Sequence, residues 1–160
     1  LFKSDFAQVR EEAMKKAKIL AEKISTAAEI QSLDKNKMEP FLNKVLKKEG
    51  SIQLLAITDI EGRRISQVHT QRGEKGLFRN LLDKDFRQKE WFVEVLETGK
   101  PYYSDLFFSK YTGVLIFTAA LPIFNNKGEI YAVIDIDFKF DEIVKLINPI
   151  PEEILESHTE

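Results

Sequence analysis

The sequence contains no cysteine among its 160 residues. This absence excludes disulfides, thiolate metal sites and cysteine nucleophiles, and it leaves the redox compartment undetermined. Histidine is also scarce, with only His69 and His158. A two-histidine metal site or a Ser-His-Asp triad would need the acidic C-terminal tail to fold back onto the domain. We therefore expect neither a bound metal nor a cofactor.

Neither sign of charge dominates, since the sequence has 24 Lys and Arg residues and 26 Asp and Glu residues, for a formal net charge of -2. Without a basic field, nucleic-acid binding is not expected. No apolar run approaches the ~20 residues that a transmembrane helix needs. The chain starts at Leu1 and ends in a polar stretch, which suggests a fragment from which targeting or membrane segments have been removed.

The motifs of common enzyme classes are missing as well. The sequence has no phosphate-binding glycine loop, no G-x-S-x-G and no H-E-x-x-H, and its seven glycines are scattered among turns. Carboxylates are so numerous that closeness in sequence cannot nominate a general acid and base. We therefore expect a protein that is not an enzyme.

What is present suits one domain, because 43% of the residues are hydrophobic and the length can bury one sizeable core. Apolar residues recur every three or four positions over residues 4–30, which predicts a long N-terminal helix within residues 1–31. The same spacing over residues 37–48 predicts a second helix. Residues 88–98 return to helical spacing and predict a short helix that ends at Gly99.

Strands are predicted by runs rich in β-branched and aromatic residues. Residues 51–58 and 63–69 flank a turn and predict a hairpin, and three further strands are predicted over residues 102–108, 114–124 and 130–138. Residues 70–84 are interpreted as a loop or short helical turn. The fold class is α+β: a PAS-like five-stranded antiparallel sheet with a long N-terminal helix and short helices packed on it, and loops on the other face. The domain covers residues 1–148, and residues 149–160 form a polar linker tail.

Two segments carry a resemblance to a known family. Residues 85–92 read Asp-Phe-Arg-Gln-Lys-Glu-Trp-Phe, residues 97–105 read Glu-Thr-Gly-Lys-Pro-Tyr-Tyr-Ser-Asp, and together they resemble the signature of Cache domains, also called PDC sensor domains. Residues 111–113, 116–123, 127–129 and 133–138 look like the family's last three strands. The resemblance covers about residues 51–145.

Membership of this family implies a single-module, extracytoplasmic ligand-sensing domain of a membrane-bound signalling receptor. The receptor would be a histidine kinase, a chemoreceptor or a cyclic-dinucleotide enzyme, anchored by flanking transmembrane helices absent from this fragment. The ligand would be a small organic molecule such as a carboxylate or an amino acid.

The resemblance also nominates ligand-binding residues. In the family, a basic residue two positions before an aromatic pair holds the ligand's carboxylate, and this spacing gives Lys89, Trp91 and Phe92. The family's residue is Arg, whose planar fork binds a carboxylate through two bonds, whereas Lys offers a single point charge. Phe107 lies where the family often places a pocket tyrosine, and Asp137 aligns with the position that receives a ligand's amine.

The last predicted strand carries two acids on one face. Its two-residue period puts Asp135 and Asp137 on the face opposite Ile134 and Ile136. Such acids need a partner, because an unpaired buried carboxylate is costly. The partner is either an amino or amide group of a ligand, or a lysine or solvent at the end of the strand. Thr118 offers a hydroxyl to the same side, or is an ordinary β-branched strand residue.

The apolar stripe of the first helix packs on its own sheet, or also pairs with a second copy. Its seven-residue spacing suits a parallel two-helix contact, so we expect a homodimer through this helix. Two alternatives to ligand sensing stay open. One is a ligand-free dimerisation or spacer module of such a receptor, which Lys89 in place of Arg and Phe107 both favour. The other is a cytoplasmic PAS-like regulatory domain.

Overall fold

A computed structural model describes residues 2–81 and 85–147 of the chain. Within these residues the helices are α1 (Phe2–Ser25), α2 (Ala28–Gln31), α3 (Lys35–Lys48), α4 (Glu90–Thr98) and α5 (Phe140–Ile147). The strands are β1 (Ile52–Asp59), β2 (His69–Thr70), β3 (Tyr102–Tyr103), β4 (Phe107–Phe108), β5 (Leu115–Phe124) and β6 (Ile130–Lys139). A 3-10 helix spans Lys75–Leu81. The predicted tail at residues 149–160, which includes His158, lies outside the described residues.

The long N-terminal helix is confirmed, but it ends at Ser25 rather than near residue 30. Thr26 donates its hydroxyl to the carbonyl of Glu22 at 2.7 Å, which satisfies a carbonyl at the end of the helix. Ala27 then adopts an extended conformation with ψ of 146° before α2 begins. A hydroxyl bonding back to the preceding turn competes with continuation of the helix, and helical periodicity alone cannot detect it.

The sheet is antiparallel throughout, with strand order β2-β1-β6-β5-β3, and β4 also pairs with β5. It has six strands rather than five because the predicted strand over residues 102–108 is split into β3 and β4. At the split, the Thr118 amide donates to the hydroxyl of Ser104 at 2.8 Å. A side-chain hydroxyl therefore replaces a ladder carbonyl at that point.

The second arm of the predicted hairpin is also shorter than expected. Residues 63–69 contribute an isolated bridge between Thr58 and Arg64 and the short strand β2. Between them, the Ile57 amide donates to the Ser66 hydroxyl at 2.8 Å instead of to a backbone carbonyl. The hairpin turn is present, but between Arg64 and β2 its outer arm bonds to β1 only around Ile57, whose carbonyl accepts from the Ile65 amide at 2.9 Å.

The two faces of the sheet are covered differently. On one face α1, α3 and α5 enclose the main core, where Ala13, Ala17 and Ala21 of α1 are fully buried. Residues without large side chains let a helix approach the sheet closely. The stripe predicted on α1 therefore packs on its own sheet. In the described part of the chain, no helix has the length and apolar character required to traverse a bilayer.

On the other face, α4 packs on part of the sheet. Phe92 and Val95 of α4 contact Ala120 and Val133 of the two central strands. The remainder of this face is enclosed by the residues around Phe86 and by the segment that follows β4. A cavity remains between these elements and the strands.

Candidate ligand-binding site

The cavity has a volume of about 340 Å³ and lies over the central strands. Strands β1, β5 and β6 supply its floor, the residues leading into α4 supply one wall, and β4 with the turn after it supplies the other. It is lined by Leu54, Arg64, Phe86, Lys89, Trp91, Phe107, Phe108, Ser109, Lys110, Tyr111, Ile116, Thr118, Asp135 and Asp137. Six of the seven residues nominated from the sequence are thus brought together.

Thr118 and Asp137 are directly opposite each other on β5 and β6, and both side chains face the cavity. The Thr118 hydroxyl donates to Oδ1 of Asp137 at 2.7 Å. Burial and the neighbouring Asp135 carboxylate raise the pKa of Asp137 to about 7, against the opposing effects of Thr118 and Arg64. The floor of the cavity thus holds a carboxyl group that changes charge near neutral pH.

Asp135, two residues earlier on β6, is paired within the protein. Arg64 donates from both terminal nitrogens to the two carboxylate oxygens of Asp135, with Nη2 to Oδ2 at 3.1 Å. The side chains of both residues are only 5% exposed. Burial raises the pKa of Asp135, and the Arg64 guanidinium opposes that change by stabilising the charged carboxylate. Of the two acids on β6, Asp135 therefore has its partner within the protein, in the side chain of Arg64.

Arg64 was missed in the sequence, although the predicted hairpin contained a signal for it. The turn at residues 59–62 places Arg64 beside Thr58, and the structure shows this bridge. From there Nη1 also donates to the Thr58 hydroxyl at 2.8 Å. The guanidinium lies 4.1 Å from the ring centroid of Phe86 and 5.8 Å from that of Trp91. Arg64 pairs with β1, and β1 lies beside β6, the strand that carries the two acids. A basic residue in that position indicates such an ion pair.

The cationic side of the cavity is at its mouth. Lys89 is the N-cap residue of α4, and its exposed side chain lines the cavity. Lys110, on the opposite wall, places its ammonium nitrogen 5.3 Å from the ring centroid of Tyr111. Beside them Phe107 is partly exposed and Phe108 is 73% exposed. The mouth therefore combines positive charge with aromatic surface.

Phe92 does not line the cavity. Its neighbour Trp91 does, but one residue turns a helix by about 100°, which points Phe92 into the core beneath α4. Its ring is buried against Ala120 and Val133. Phe92 thus supports Trp91 from behind, with ring centroids 6.0 Å apart.

A buried polar network holds the wall after β4 in place. The fully buried Gln53 donates from Nε2 to the Ser109 hydroxyl at 3.1 Å and accepts from the Thr112 hydroxyl at 2.7 Å. The register of β1 against β6 shifts between Ile52 and Leu54, so the irregularity falls at Gln53. This network ties the turn that carries Lys110 and Tyr111 to the central sheet.

The opposite wall depends on Gly62. Its φ is +86°, and a Cβ atom there would lie 2.5 Å from Cγ of Arg87 and 2.8 Å from the backbone nitrogen of Arg87. The Gly62 carbonyl also accepts a hydrogen bond from the Phe86 amide at 3.0 Å. The hairpin turn and the segment that carries Phe86 are therefore in contact through a position that only glycine can occupy without displacement.

Replacing Gly62 with alanine is expected to lower the free energy of unfolding by about 2–3 kcal/mol, from left-handed strain and from steric conflict with the Arg87 backbone. Gly128→Ala is the matched control, because its φ is +77° but nothing lies within 4 Å of the added Cβ. The control should be destabilised by the left-handed strain alone, which lowers its free energy of unfolding by about 1 kcal/mol. Urea denaturation measures both. Equal losses in the two variants would show that the contact with Arg87 has no energetic weight.

Within residues 2–81 and 85–147, no group of three or more His, Asp or Glu residues is placed to hold a metal ion. The cavity is lined by side chains of several chemical kinds. It offers one carboxyl group with a pKa near neutrality, one internally paired arginine, two lysines and several aromatic rings.

An antiparallel sheet with a long helix on one face and a ligand-sized cavity on the other is the architecture of PAS-like sensor domains. The family described as "Methyl-accepting chemotaxis protein-like, first PDC sensor domain" matches residues 38–145. The chain belongs to this family, which confirms the resemblance read from its sequence.

Solved structures share the fold. An extracellular ligand binding receptor from Desulfohalobium retbaense matches with a TM-score of 0.59 and 14% identity, over 88% of this chain and 27% of that one. The ligand-binding domain of the Campylobacter jejuni chemoreceptor Tlp3, solved with 4-methylisoleucine, matches with a TM-score of 0.54 and 15% identity, over 94% of this chain and 56% of that one.

A curated relative carries a different name. The chain is 27% identical over 146 residues to a protein of Syntrophus aciditrophicus named Citrate (Re)-synthase. The match covers 91% of this chain but 23% of that protein. The chain thus spans less than a quarter of this relative.

Proposed function

We propose that this chain is the extracytoplasmic ligand-sensing domain of a membrane-bound signalling receptor, and that its ligand is a small organic molecule with an ammonium group, such as an amino acid. The observation that carries the proposal is Asp137. Its carboxyl group lies on the floor of a ligand-sized cavity, with Thr118 orienting one oxygen. A ligand ammonium supplies the counter-charge that an ionised carboxylate needs in this position.

The rest of the cavity suits an amino acid. With the ammonium at Asp137, the ligand's carboxylate points toward the mouth and Lys89, which stands at the start of α4, where the helix dipole favours an anion. Trp91 and Phe107 provide aromatic surface for an apolar side chain. The volume of about 340 Å³ falls near the lower end of the range for small-molecule pockets. A ligand of a few heavy atoms beyond the amino-acid backbone would fill it.

The comparisons support this ligand class and location. The Campylobacter jejuni neighbour is a chemoreceptor domain solved with an amino-acid derivative. The family is a sensor-domain family, which supports a sensing rather than a catalytic role and favours an extracytoplasmic receptor over a cytoplasmic regulatory domain. We place the domain at residues 1–148, followed by a linker, with transmembrane helices in the full-length protein.

We also propose that the domain dimerises through α1, with a surface that shares only Phe6 with the predicted stripe. The rest of the predicted stripe packs in the domain's own core. Phe6 and Ile19 of α1 and Leu146 of α5 remain exposed, so a second copy would contact these side chains. The same surface supports the second candidate function, a dimerisation or spacer module that binds no ligand. The experiment below separates the two.

Asp137→Asn is expected to weaken binding of an ammonium ligand by about 10–100-fold, the value of a hydrogen bond to a charged group. The ligand is first found by thermal shift against a panel of amino acids, amines and dicarboxylates, and its affinity is then measured by calorimetry. Glu97→Gln is the control, since it makes the same chemical change on the exposed side of α4. Unchanged affinity in Asp137→Asn would remove Asp137 from the site. A panel without any stabilising compound would favour the spacer function.

A further inference from the structure

The surroundings of Arg64 have the composition of a binding site for an organic cation. Two carboxylate oxygens of Asp135 and the hydroxyl of Thr58 accept hydrogen bonds from the guanidinium. The ring of Phe86 lies 4.1 Å away and that of Trp91 lies 5.8 Å away, as in aromatic cages that hold cationic ligands. The cation in this site is a side chain of the protein itself.

Arg64 therefore sets the charge that the cavity presents to a ligand. Asp135 and Asp137 both line the cavity, and without Arg64 they would present two acids to a ligand. With Asp135 neutralised by a two-pronged, nearly solvent-free ion pair, Asp137 is the acid left for the ligand. A second ligand cation near Asp135 would meet the guanidinium at close range and without much screening, where repulsion between like charges is strong.

We propose that Arg64 is a specificity-determining residue, which occupies the second cation position of the cavity and restricts the ligands to those with one ammonium group. The proposal rests on the function proposed above, in which Asp137 holds an ammonium. Basic amino acids and diamines are excluded by this arrangement. Monoamino acids with apolar side chains are accepted.

The distance between Asp135 and Asp137 determines which ligands with two ammonium groups could bind once Arg64 is replaced by a neutral residue. Asp135 and Asp137 are two residues apart on one strand and project from the same face, which separates them by about 6.5–7 Å. L-ornithine carries two ammonium groups joined by a four-carbon chain of comparable span. L-norvaline is the same molecule with a hydrogen atom in place of the terminal ammonium group. The pair therefore differs in the second cation alone.

The test compares wild-type protein with Arg64→Ala for binding of L-norvaline and L-ornithine by calorimetry at pH 8, where Asp137 is ionised. Wild type should bind norvaline at least tenfold more tightly than ornithine. Arg64→Ala should reverse the order, with ornithine binding at least tenfold more tightly than norvaline, because its second ammonium group then gains one charge-assisted bond to Asp135. Arg64→Lys keeps the positive charge and should keep the wild-type preference.

Each outcome bears on one proposal or the other. If wild type binds norvaline and Arg64→Ala does not gain ornithine, the role of Arg64 is overturned while the ammonium site at Asp137 stands. If neither amino acid binds either protein, the inference about Arg64 fails, and the compound panel decides separately whether the cavity is a ligand site. Should Arg64→Ala not fold, Arg64→Gln is measured with the same expected reversal, because it keeps a donor for Asp135 but carries no charge.

Discussion

Replacing Asp135 with alanine is expected to lower the free energy of unfolding by about 3–5 kcal/mol. The change leaves the guanidinium of Arg64 in place, 5% exposed, without the carboxylate that receives both of its terminal nitrogens. An unpaired charge in such a position loses its hydration without compensation. Thr58 and the ring of Phe86 remain as partners without a full negative charge, and Asp137 acts on Arg64 through its charge but accepts its hydrogen bond from Thr118. Urea denaturation monitored by far-UV circular dichroism measures the loss.

A second Asp–Arg pair in the same protein provides the matched control. Arg10 donates to Asp105 at 2.6 Å, but the side chain of Asp105 is 91% exposed and that of Arg10 is 41% exposed. Exposed ion pairs contribute about 0–1 kcal/mol, so Asp105→Ala should change stability little. The comparison holds the chemistry constant and varies burial. Similar losses in the two variants would mean that the Asp135–Arg64 pair is as well solvated as a surface ion pair.

The second large effect is a dependence of stability on pH that arises from Asp137. Its pKa is about 7 in the folded protein and near 3.8 without the fold, so between pH 4 and 7 the folded state holds a proton that the unfolded state has lost. Stability therefore falls as the pH rises through this window. With about 1.4 kcal/mol for each unit of pKa shift, the fall is at most about 4 kcal/mol.

Asp137→Asn isolates this contribution, because asparagine does not titrate. The variant should match wild type near pH 4 and exceed it in stability at pH 8, where the wild-type carboxylate is ionised. Other groups titrate too. Burial lowers the pKa of His69, so its contribution makes stability rise with pH, opposite to that of Asp137. This contribution is the same in wild type and in Asp137→Asn. Denaturation curves recorded from pH 4 to 8 give the difference. A constant difference over this range would contradict the raised pKa of Asp137.

The same ionisation governs binding. An ammonium ligand requires the carboxylate form of Asp137, so its affinity should rise about tenfold for each pH unit up to the pKa and then level off. The charge of Asp135 raises this midpoint and that of Arg64 lowers it, and Lys89 and Lys110 line the same cavity. A receptor with this site would bind its ligand best in neutral to alkaline surroundings.

The order of helices and strands could be predicted from the sequence because periodicity records which side chains are buried. The alternation along β6 is an example, since Asp135 and Asp137 face the cavity while Ile134 and Ile136 face the helices. What periodicity could not show are local hydrogen bonds that interrupt regular structure. Hydroxyls of Ser66, Ser104 and Thr26 each take a backbone partner and shorten an element.

The site was predictable in part for a similar reason. Lys89, Trp91, Phe107, Thr118, Asp135 and Asp137 were named from family spacing and strand alternation, and the structure gathers them around one cavity. Phe92 was misplaced because adjacent helical residues point in different directions. Arg64 was missed because its role depends on contacts across the sheet, at a separation of 71 residues from Asp135. Long-range ion pairs leave only weak local signals.

The alternation along the central strands has a mechanical consequence. Asp137 lies between Ile136 and Phe138, and Thr118 lies between Phe117 and Ala119, so each group offered to a ligand is bonded directly to residues of the helix-facing core. One peptide unit separates the two environments. Because packed cores resist compression, a twist imposed on β5 and β6 from one side displaces α1 and α5 on the other. Any strain that a ligand exerts on these strands is therefore expected to reach the helix-facing core as well.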